Sequence, residues 1–148
     1  MVIPIDLSNK LKKIQFLYNK RKVVTVSKGV QDELINRYNV NTETLSTIYN
    51  PIDFEAIHSK MNEKVDEKKY ILFCGRFNEA KRPEHAIELF YSQGLYKDYK
   101  LMMIGTGELE PLVKEKIKKY NITDRVILKG WCDNPYKYMK NALLMFNC

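Results

Sequence analysis

The sequence contains few of the residues that build disulfide or metal sites. It has three cysteines, Cys74, Cys132 and Cys148, and two histidines, His58 and His85. Three cysteines without a CxxC pair argue against a disulfide framework and fit a reducing compartment. The histidines stand far in sequence from any cysteine pair, so a zinc site has no support. We expect no metal site and no cofactor.

Long apolar runs, internal repeats and low-complexity tracts are also missing. The N-terminal MVIPID has too few apolar residues before Asp6 to form the apolar region of a signal peptide. No run approaches the roughly 20 residues that span a bilayer. We therefore expect a cytoplasmic protein.

The composition is that of a globular chain with a basic balance. Of 148 residues, 45% are hydrophobic and 29% are charged, and the net charge is +7. The length suits one domain, or one domain with a piece of another. The positive charge predicts an anionic partner and leaves open whether it is a nucleotide, a nucleic acid or an acidic membrane surface.

The first fifty residues predict two helices and two short strands. Apolar residues recur at helical spacing among many lysines: Leu7, Leu11, Ile14, Leu17 and Tyr18. This basic amphipathic helix could contact an anionic membrane, or pack its apolar stripe on protein with its lysines in water, which the pattern favours. We expect a buried strand over Val23–Val26, a helix capped by Ser27, and a strand over 45–49 ended by Asn50-Pro51. Residues 53–69 turn polar and predict a connector.

From residue 70 onward, apolar strands alternate with amphipathic helices. The predicted strands are 70–74, 101–104, 126–128 and 143–146, and the predicted helices are 83–93, 108–120 and 134–141. Such alternation predicts an α/β fold with a Rossmann-like parallel sheet and flanking helices.

The end of the first of these strands carries a glycine and two cations. Gly75 allows a tight turn, Arg76 offers a planar fork for two phosphate oxygens, and Lys81 adds a charge beside a helix start. Ligands of open parallel sheets bind at the carboxyl ends of the strands. The pattern therefore predicts a diphosphate site; the alternative is that both cations are solvated loop residues.

The next two strand ends add a glycine pair and an aromatic residue. Gly105-Thr106-Gly107 resembles the start of a dinucleotide fingerprint, but Glu110 stands where the third glycine belongs. A tight turn and close ligand approach both remain open for these glycines. Trp131 could lie beside a base or sugar, or close the core.

Four runs in order carry a resemblance: VVTVSKGVQDEL, STIYNPID, ILFCGRFNEAKRPEHAIELF and LMMIGTGELEPLVKEKIKKYNITDRVILKGW. Together they resemble the GT-B glycosyltransferases of family 4, from about Val23 to the end of the chain. The resemblance implies transfer of a sugar from a nucleotide diphosphate donor, with retention of anomeric configuration and without a metal. The implied donor is of UDP or GDP type, and the implied acceptor is a glycan or is lipid-linked.

The resemblance implies that six residues bind the donor: Gly75, Arg76, Lys81, Gly105, Gly107 and Trp131. Arg76 and Lys81 match the family's Gly-Arg…Lys pair, which holds the diphosphate. Trp131 follows the position where the family's backbone meets the nucleotide base. Neither His58 nor His85 matches the family's catalytic histidine, so we assign no catalytic residue.

The sequence also departs from the family pattern. It shows neither the Glu-x7-Glu motif that should follow the fourth strand nor a complete N-terminal domain. We expect residues 1–52 to be a remnant of the acceptor domain with its interdomain segment, 53–69 a connector, and 70–148 an incomplete nucleotide-sugar domain. We expect weak donor binding at most and negligible transfer by the isolated chain, unless a complementing chain supplies the missing parts. The alternative function is a non-catalytic basic module that binds phosphorylated ligands or nucleic acid; the aromatics at core spacing speak against nucleic acid.

Overall fold

The computed structural model describes residues 7–147, which divide into two compact units with the boundary between Ile52 and Asp53. Residues 1–6 and Cys148, which the domain predictions include, lie outside the described residues, as do the side chains of residues 7–10. Each unit is described by itself.

The first unit contains two helices and a two-stranded parallel sheet. Its elements are α1 (Leu7–Asn19), β1 (Val23–Thr25), α2 (Lys28–Asn36), a 3-10 turn (Thr42–Thr44) and β2 (Leu45–Thr47). Ser27 caps α2 as predicted, because its Oγ accepts from the Val30 N–H at 3.2 Å. The prediction that residues 23–26 are buried is wrong: Val24 and Val26 are more than half exposed, and only Thr25 is buried.

The second unit is a four-stranded sheet with helices. Its elements are α3 (Phe54–Lys60), β3 (Tyr70–Cys74), α4 (Pro83–Ser92), β4 (Lys100–Ile104), α5 (Glu110–Lys119), β5 (Val126–Gly130), α6 (Tyr136–Asn141) and β6 (Leu144–Phe146), with 3-10 turns at Leu95–Lys97 and Thr123–Arg125. The strand order is β5-β4-β3-β6 and every pairing is parallel. The predicted α/β class and parallel sheet are confirmed.

Alternate residues of β3 and β4 point to opposite sides of the sheet, so both faces carry apolar side chains. Both faces are covered. One face packs on α4 and α5 through a buried group: Ile71, Phe73, Leu101, Met103, Ala86, Ile87, Phe90, Val113 and Ile117. The other face buries Tyr70, Leu72, Met102 and Ile104 against α6, and the Tyr70 hydroxyl donates to the carbonyl of Tyr138 at 2.7 Å. Each large apolar side chain buried here contributes about 1.5–3 kcal/mol. Leu89, the remaining large aliphatic residue of α4, is exposed.

The predicted connector 53–69 contains a helix and belongs to the second unit. Asp53 caps α3 by accepting from a first-turn backbone N–H at 2.9 Å. The Asn134 side chain donates to the carbonyl of Lys60 at 2.9 Å, and Lys137 pairs with Glu63 at 2.8 Å. These contacts tie the segment to the region around α6.

Candidate functional site

The carboxyl ends of β3, β4 and β5 meet at one edge of the sheet, because the three strands are parallel and adjacent. Beyond the strands, the Gly75 N–H donates to the Ile104 carbonyl at 3.0 Å, and the Gly105 N–H donates to the Gly130 carbonyl at 2.8 Å. The backbones of three loops are therefore bonded side by side at this edge.

The same pairing extends further between the loops that follow β3 and β4. The Phe77 N–H donates to the Thr106 carbonyl, and the Leu109 N–H donates to the Phe77 carbonyl, both at 2.9 Å. Phe77 is buried and its ring packs edge-on against Phe73 with centroids 5.8 Å apart. The loop after β3 is thus fixed at both backbone and side chain.

Glycines 105 and 107 make this close approach sterically allowed. A Cβ on Gly105, whose φ is +140°, would lie 1.9 Å from the Gly75 carbonyl oxygen. A Cβ on Gly107, whose φ is +159°, would lie 2.4 Å from the Phe77 carbonyl oxygen. The space that a side chain would need is filled by neighbouring backbone. The glycine pair therefore packs two loops together, a role that the sequence left undecided.

A cavity of about 280 Å³ opens at this edge. Its lining residues are Cys74, Gly75, Arg76, Ile104, Gly105, Thr106, Trp131, Cys132 and Pro135. Four of the six residues predicted to bind a donor lie in this wall: Gly75, Arg76, Gly105 and Trp131. Lys81 and Gly107 lie outside it. The cavity is mostly apolar, with Arg76 as its cation.

Arg76 follows Gly75 in the chain, and the Lys81 side chain packs against that glycine. Arg76 is exposed and forms no ion pair with any described residue. The Cγ and Cδ atoms of Lys81 lie 3.8 and 3.9 Å from the position of a Gly75 Cβ, so its stem passes over that glycine. The Asn78 carbonyl and side-chain oxygens each accept from the Lys81 N–H at 3.1 Å, which fixes the loop.

Helix α4 starts directly after these cations. Arg82 precedes it in the left-handed region, with φ 42° and ψ 56°, and Pro83 fills the first helical position. The positive end of the helix therefore adds to the charge of the loop.

Trp131 stands at the mouth of the cavity and is 77% exposed. This exposure rules out the alternative in which it closes the core. Its indole Nε1–H donates to the Asp133 Oδ1 at 2.9 Å, which holds the ring in one orientation. The ring follows Gly130, whose φ of +70° turns the chain out of β5.

Two thiols for which the sequence predicted no role also line the cavity. Cys74 ends β3, and Cys132 follows Trp131; both are free and half-buried. Burial, and secondly the proximity of Cys132, raise the pKa of the Cys74 thiol. The available signal was that Cys74 ends the predicted strand 70–74 and Cys132 follows the predicted strand 126–128 by a few residues, because parallel strand ends meet at one edge.

His85 lies on the exposed side of α4. Its Nε2 is 3.9 Å from the Glu84 Oε1 and 4.0 Å from the Glu88 Oε2. Within residues 7–147, no group of three or more histidine, cysteine, aspartate or glutamate side chains could hold a metal ion. None of the helices in that range is long and apolar enough to cross a membrane.

The family model of the glycosyl transferases group 1 matches residues 54–147. A Campylobacter jejuni enzyme, N-acetylgalactosamine-N,N'-diacetylbacillosaminyl-diphospho-undecaprenol 4-alpha-N-acetylgalactosaminyltransferase, is 34% identical over 128 residues, which are 85% of this chain and 34% of the relative. Escherichia coli lipopolysaccharide 1,6-galactosyltransferase is 24% identical over 123 residues, covering 81% of this chain and 33% of the relative. The chain thus spans about a third of the length of these relatives.

Two solved structures share the fold. HepE from Anabaena in complex with UDP has a TM-score of 0.69 at 18% identity, over 96% of this chain and 42% of that one. TarM from S. aureus, in a complex that includes UDP, has a TM-score of 0.68 at 20% identity, over 93% and 27%. The fold is that of the GT-B glycosyltransferases. With the family model covering nearly all of the second unit, the chain belongs to the glycosyl transferases group 1.

Proposed function

We propose that the second unit binds the nucleotide diphosphate part of a UDP- or GDP-type sugar donor at the cavity beside β3, β4 and β5. The observation that carries this is the position of Arg76: an exposed guanidinium without a carboxylate partner among the described residues, in the wall of a cavity at the strand ends. An unneutralised guanidinium binds phosphate oxygens through charge-assisted hydrogen bonds.

Lys81 and the start of α4 would add to the same site from outside the cavity wall. The Lys81 stem lies against Gly75, so its ammonium can reach phosphate groups that project beyond the cavity. Positive charge on this side would stabilise a leaving diphosphate as the sugar departs, without a metal. In the proposed reaction the sugar is transferred with retention of configuration.

Trp131 would provide the surface for the nucleotide base. Its exposed ring is held by Asp133 and stands beside the apolar part of the cavity. Stacking of a base on an aromatic ring contributes about 1–3 kcal/mol. Gly75 and Gly105 would form the floor between the base and the phosphates, while Gly107 supports that floor through its contact with Phe77.

The experiment is calorimetric titration of UDP and GDP into the chain and two double variants. Arg76→Ala/Lys81→Ala removes the proposed phosphate cations. Lys97→Ala/Arg125→Ala removes the same two residue types from turns at the opposite edge of the sheet. A charge-assisted hydrogen bond is worth about 1.5–3 kcal/mol, so the first variant should lose roughly tenfold to 150-fold in affinity or more.

The control variant should keep its affinity within about twofold, because only the general charge changes. Equal loss in both variants would show that binding depends on net charge, and a random oligonucleotide should then bind with a steep salt dependence. The protein has a single tryptophan, so quenching of its fluorescence by UDP, and not by inorganic pyrophosphate, would report the base at Trp131.

The acceptor and its location form the second part of the proposal. The Campylobacter relative is named for an undecaprenol-linked acceptor, which supports a glycan or lipid-linked acceptor here, handled at the cytoplasmic face of a membrane.

In α1, Phe16 and Leu17 are 61% and 56% exposed, next to the exposed Lys12 and Lys13. Apolar side chains beside lysines suit an anionic lipid surface. Flotation with vesicles should increase with anionic lipid; flotation that ignores lipid charge would refute the membrane contact.

A further inference from the structure

The cavity at the strand ends contains two thiols that donor binding does not use. Cys74 and Cys132 both line it, and both pack against the buried group of Tyr70, Leu72 and Met102 on the same face of the sheet. Neither forms a disulfide in the structure. A small molecule that enters the cavity therefore meets two thiols and the Arg76 guanidinium together.

The two thiols differ in their surroundings. Cys74 is the last residue of a central strand, and burial raises its pKa, which disfavours the nucleophilic thiolate. Cys132 lies in the loop after β5, between the exposed residues Trp131 and Asp133. Both thiols are half-buried in the cavity wall, but the backbone of Cys132 lies outside the strands, so Cys132 is the thiol whose loop can adjust to an incoming reagent.

Charge selects the kind of reagent. Arg76 attracts anions into the cavity wall, and carboxylates are bound by guanidinium groups as phosphates are. Small disulfides that carry carboxylates, of which oxidised glutathione is an example, combine an anionic group with an electrophilic sulfur–sulfur bond. Such a reagent has the same charge as the proposed donor and would occupy the same space.

We propose that Cys132 is a thiol-modification site for anionic low-molecular-weight disulfides, and that the resulting adduct blocks the donor cavity. The Cys132 thiolate attacks one sulfur of the disulfide and forms a new sulfur–sulfur bond. The original sulfur–sulfur bond breaks, and the departing thiolate takes up the proton that Cys132 lost, so no other oxidant is consumed. A reductant reverses the adduct. The blocking part of the inference rests on the proposed donor binding, whereas the modification itself does not.

The test treats the folded chain with oxidised glutathione in a Cys148→Ser background and locates the adduct by peptide mass spectrometry. We expect the adduct on Cys132, in the parent and in Cys74→Ser, and its loss in Cys132→Ser. An adduct on Cys74, no adduct, or a Cys74–Cys132 disulfide without retained glutathione would each overturn the proposal. Arg76→Gln should slow the reaction with oxidised glutathione several-fold but leave the reaction with uncharged 2-hydroxyethyl disulfide unchanged; equal slowing of both would refute the role of charge.

A second measurement separates this inference from the proposed function. UDP is titrated into the untreated protein, the treated protein and the treated protein after reduction. We expect the untreated protein to bind UDP, the treated protein to bind it at least about tenfold more weakly, and reduction to restore the original affinity. Treated protein that carries the adduct yet binds UDP as before would refute the blocking and leave donor binding intact. Untreated protein that binds neither UDP nor GDP would refute the donor proposal, while the labelling result would still decide the modification.

Discussion

Gly105 is the position where a single methyl group should disturb the strand-end loops most. In Gly105→Ala, the new Cβ would lie 1.9 Å from the Gly75 carbonyl oxygen and 2.9 Å from its carbon. Atoms cannot occupy those positions together, so the loops after β3 and β4 would have to separate. That separation strains the backbone hydrogen bonds that hold Gly75 to Ile104 and Gly105 to Gly130.

The expected cost has two parts. Holding an alanine at a φ of +140° costs about 1–3 kcal/mol. Forcing a methyl group into filled space costs about 1–3 kcal/mol more. Gly105→Ala should therefore lower the free energy of unfolding by about 2–6 kcal/mol. Because domains are stable by about 5–15 kcal/mol, the variant should show a large shift in its urea midpoint.

Gly130→Ala provides the matched control. Gly130 also has a positive φ, +70°, but a Cβ there would meet no heavy atom of the described residues within 4 Å. The expected cost is therefore only that of holding an alanine in a left-handed backbone conformation, about 1–2 kcal/mol. Urea unfolding followed by far-ultraviolet circular dichroism compares the two variants. If Gly105→Ala is no more destabilising than Gly130→Ala, the loops do not pack as described and the account of the glycine pair fails.

Three other side-chain changes give results with a definite sign. In Tyr70→Phe the hydroxyl is lost; burial raises its pKa from 10.0 to about 12, so its stabilising effect is full below pH 10 and decreases up to about pH 12. The wild-type advantage in urea unfolding, about 1 kcal/mol at pH 8, should shrink over that interval, and a constant difference would contradict the prediction. Glu88→Gln removes the carboxylate charge; in the wild type the bond from Lys116 lowers the pKa of that carboxylate. That carboxylate stabilises the fold above pH 4.5 and less as the pH falls through its lowered pKa, so the variant should lose less stability in acid, by under about 1 kcal/mol because the pair is partly exposed. Phe16→Ser with Leu17→Ser should reduce the average mass in sedimentation at high concentration, since exposed apolar side chains favour association; an unchanged mass would mean that they do not associate.

The elements from residue 70 onward could be predicted because each has a strong local signal. Strand β3 is a continuous apolar run bounded by Lys69 and Gly75, and α4 starts at a proline with apolar residues at helical spacing. Helix α3 could not, because seven residues give less than two turns of period, and its apolar side chains are half-buried at Ala56 and Ile57 and exposed at Phe54. Asp53 at its cap was the signal that remained.

Burial was harder to predict than the elements themselves. Val24 and Val26 have the β-branched side chains that are typical of a strand, and residues 23–25 do form one. β-Branching indicates an extended backbone, however, and does not indicate whether the strand is buried. Similarly, Trp131 is large and apolar, and nothing in its neighbours indicates whether it faces the core or solvent. Exposure of these residues depends on the packing of distant segments.

The sequence predicted which residues lie at the candidate site, but not how their backbones and side chains are arranged there. Parallel topology places Gly75, Arg76, Gly105 and Trp131 at one edge, and the structure puts them in one cavity wall. The sequence could not show that Lys81 lies beside that wall, because its direction depends on how Asn78 folds the loop. Gly107 was expected near a ligand, but the carbonyl of Phe77 occupies the space beside it.

Gly75 and Gly105 contribute only main chain to the cavity wall, and main chain keeps its chemistry whatever side chains evolve around it. Mutations can therefore exchange the side chains of the cavity wall, and with them the molecules that fit the cavity, while the main-chain surface persists. Families built in this way can diversify their chemistry through neighbouring positions at little risk to folding, provided that the two glycines stay.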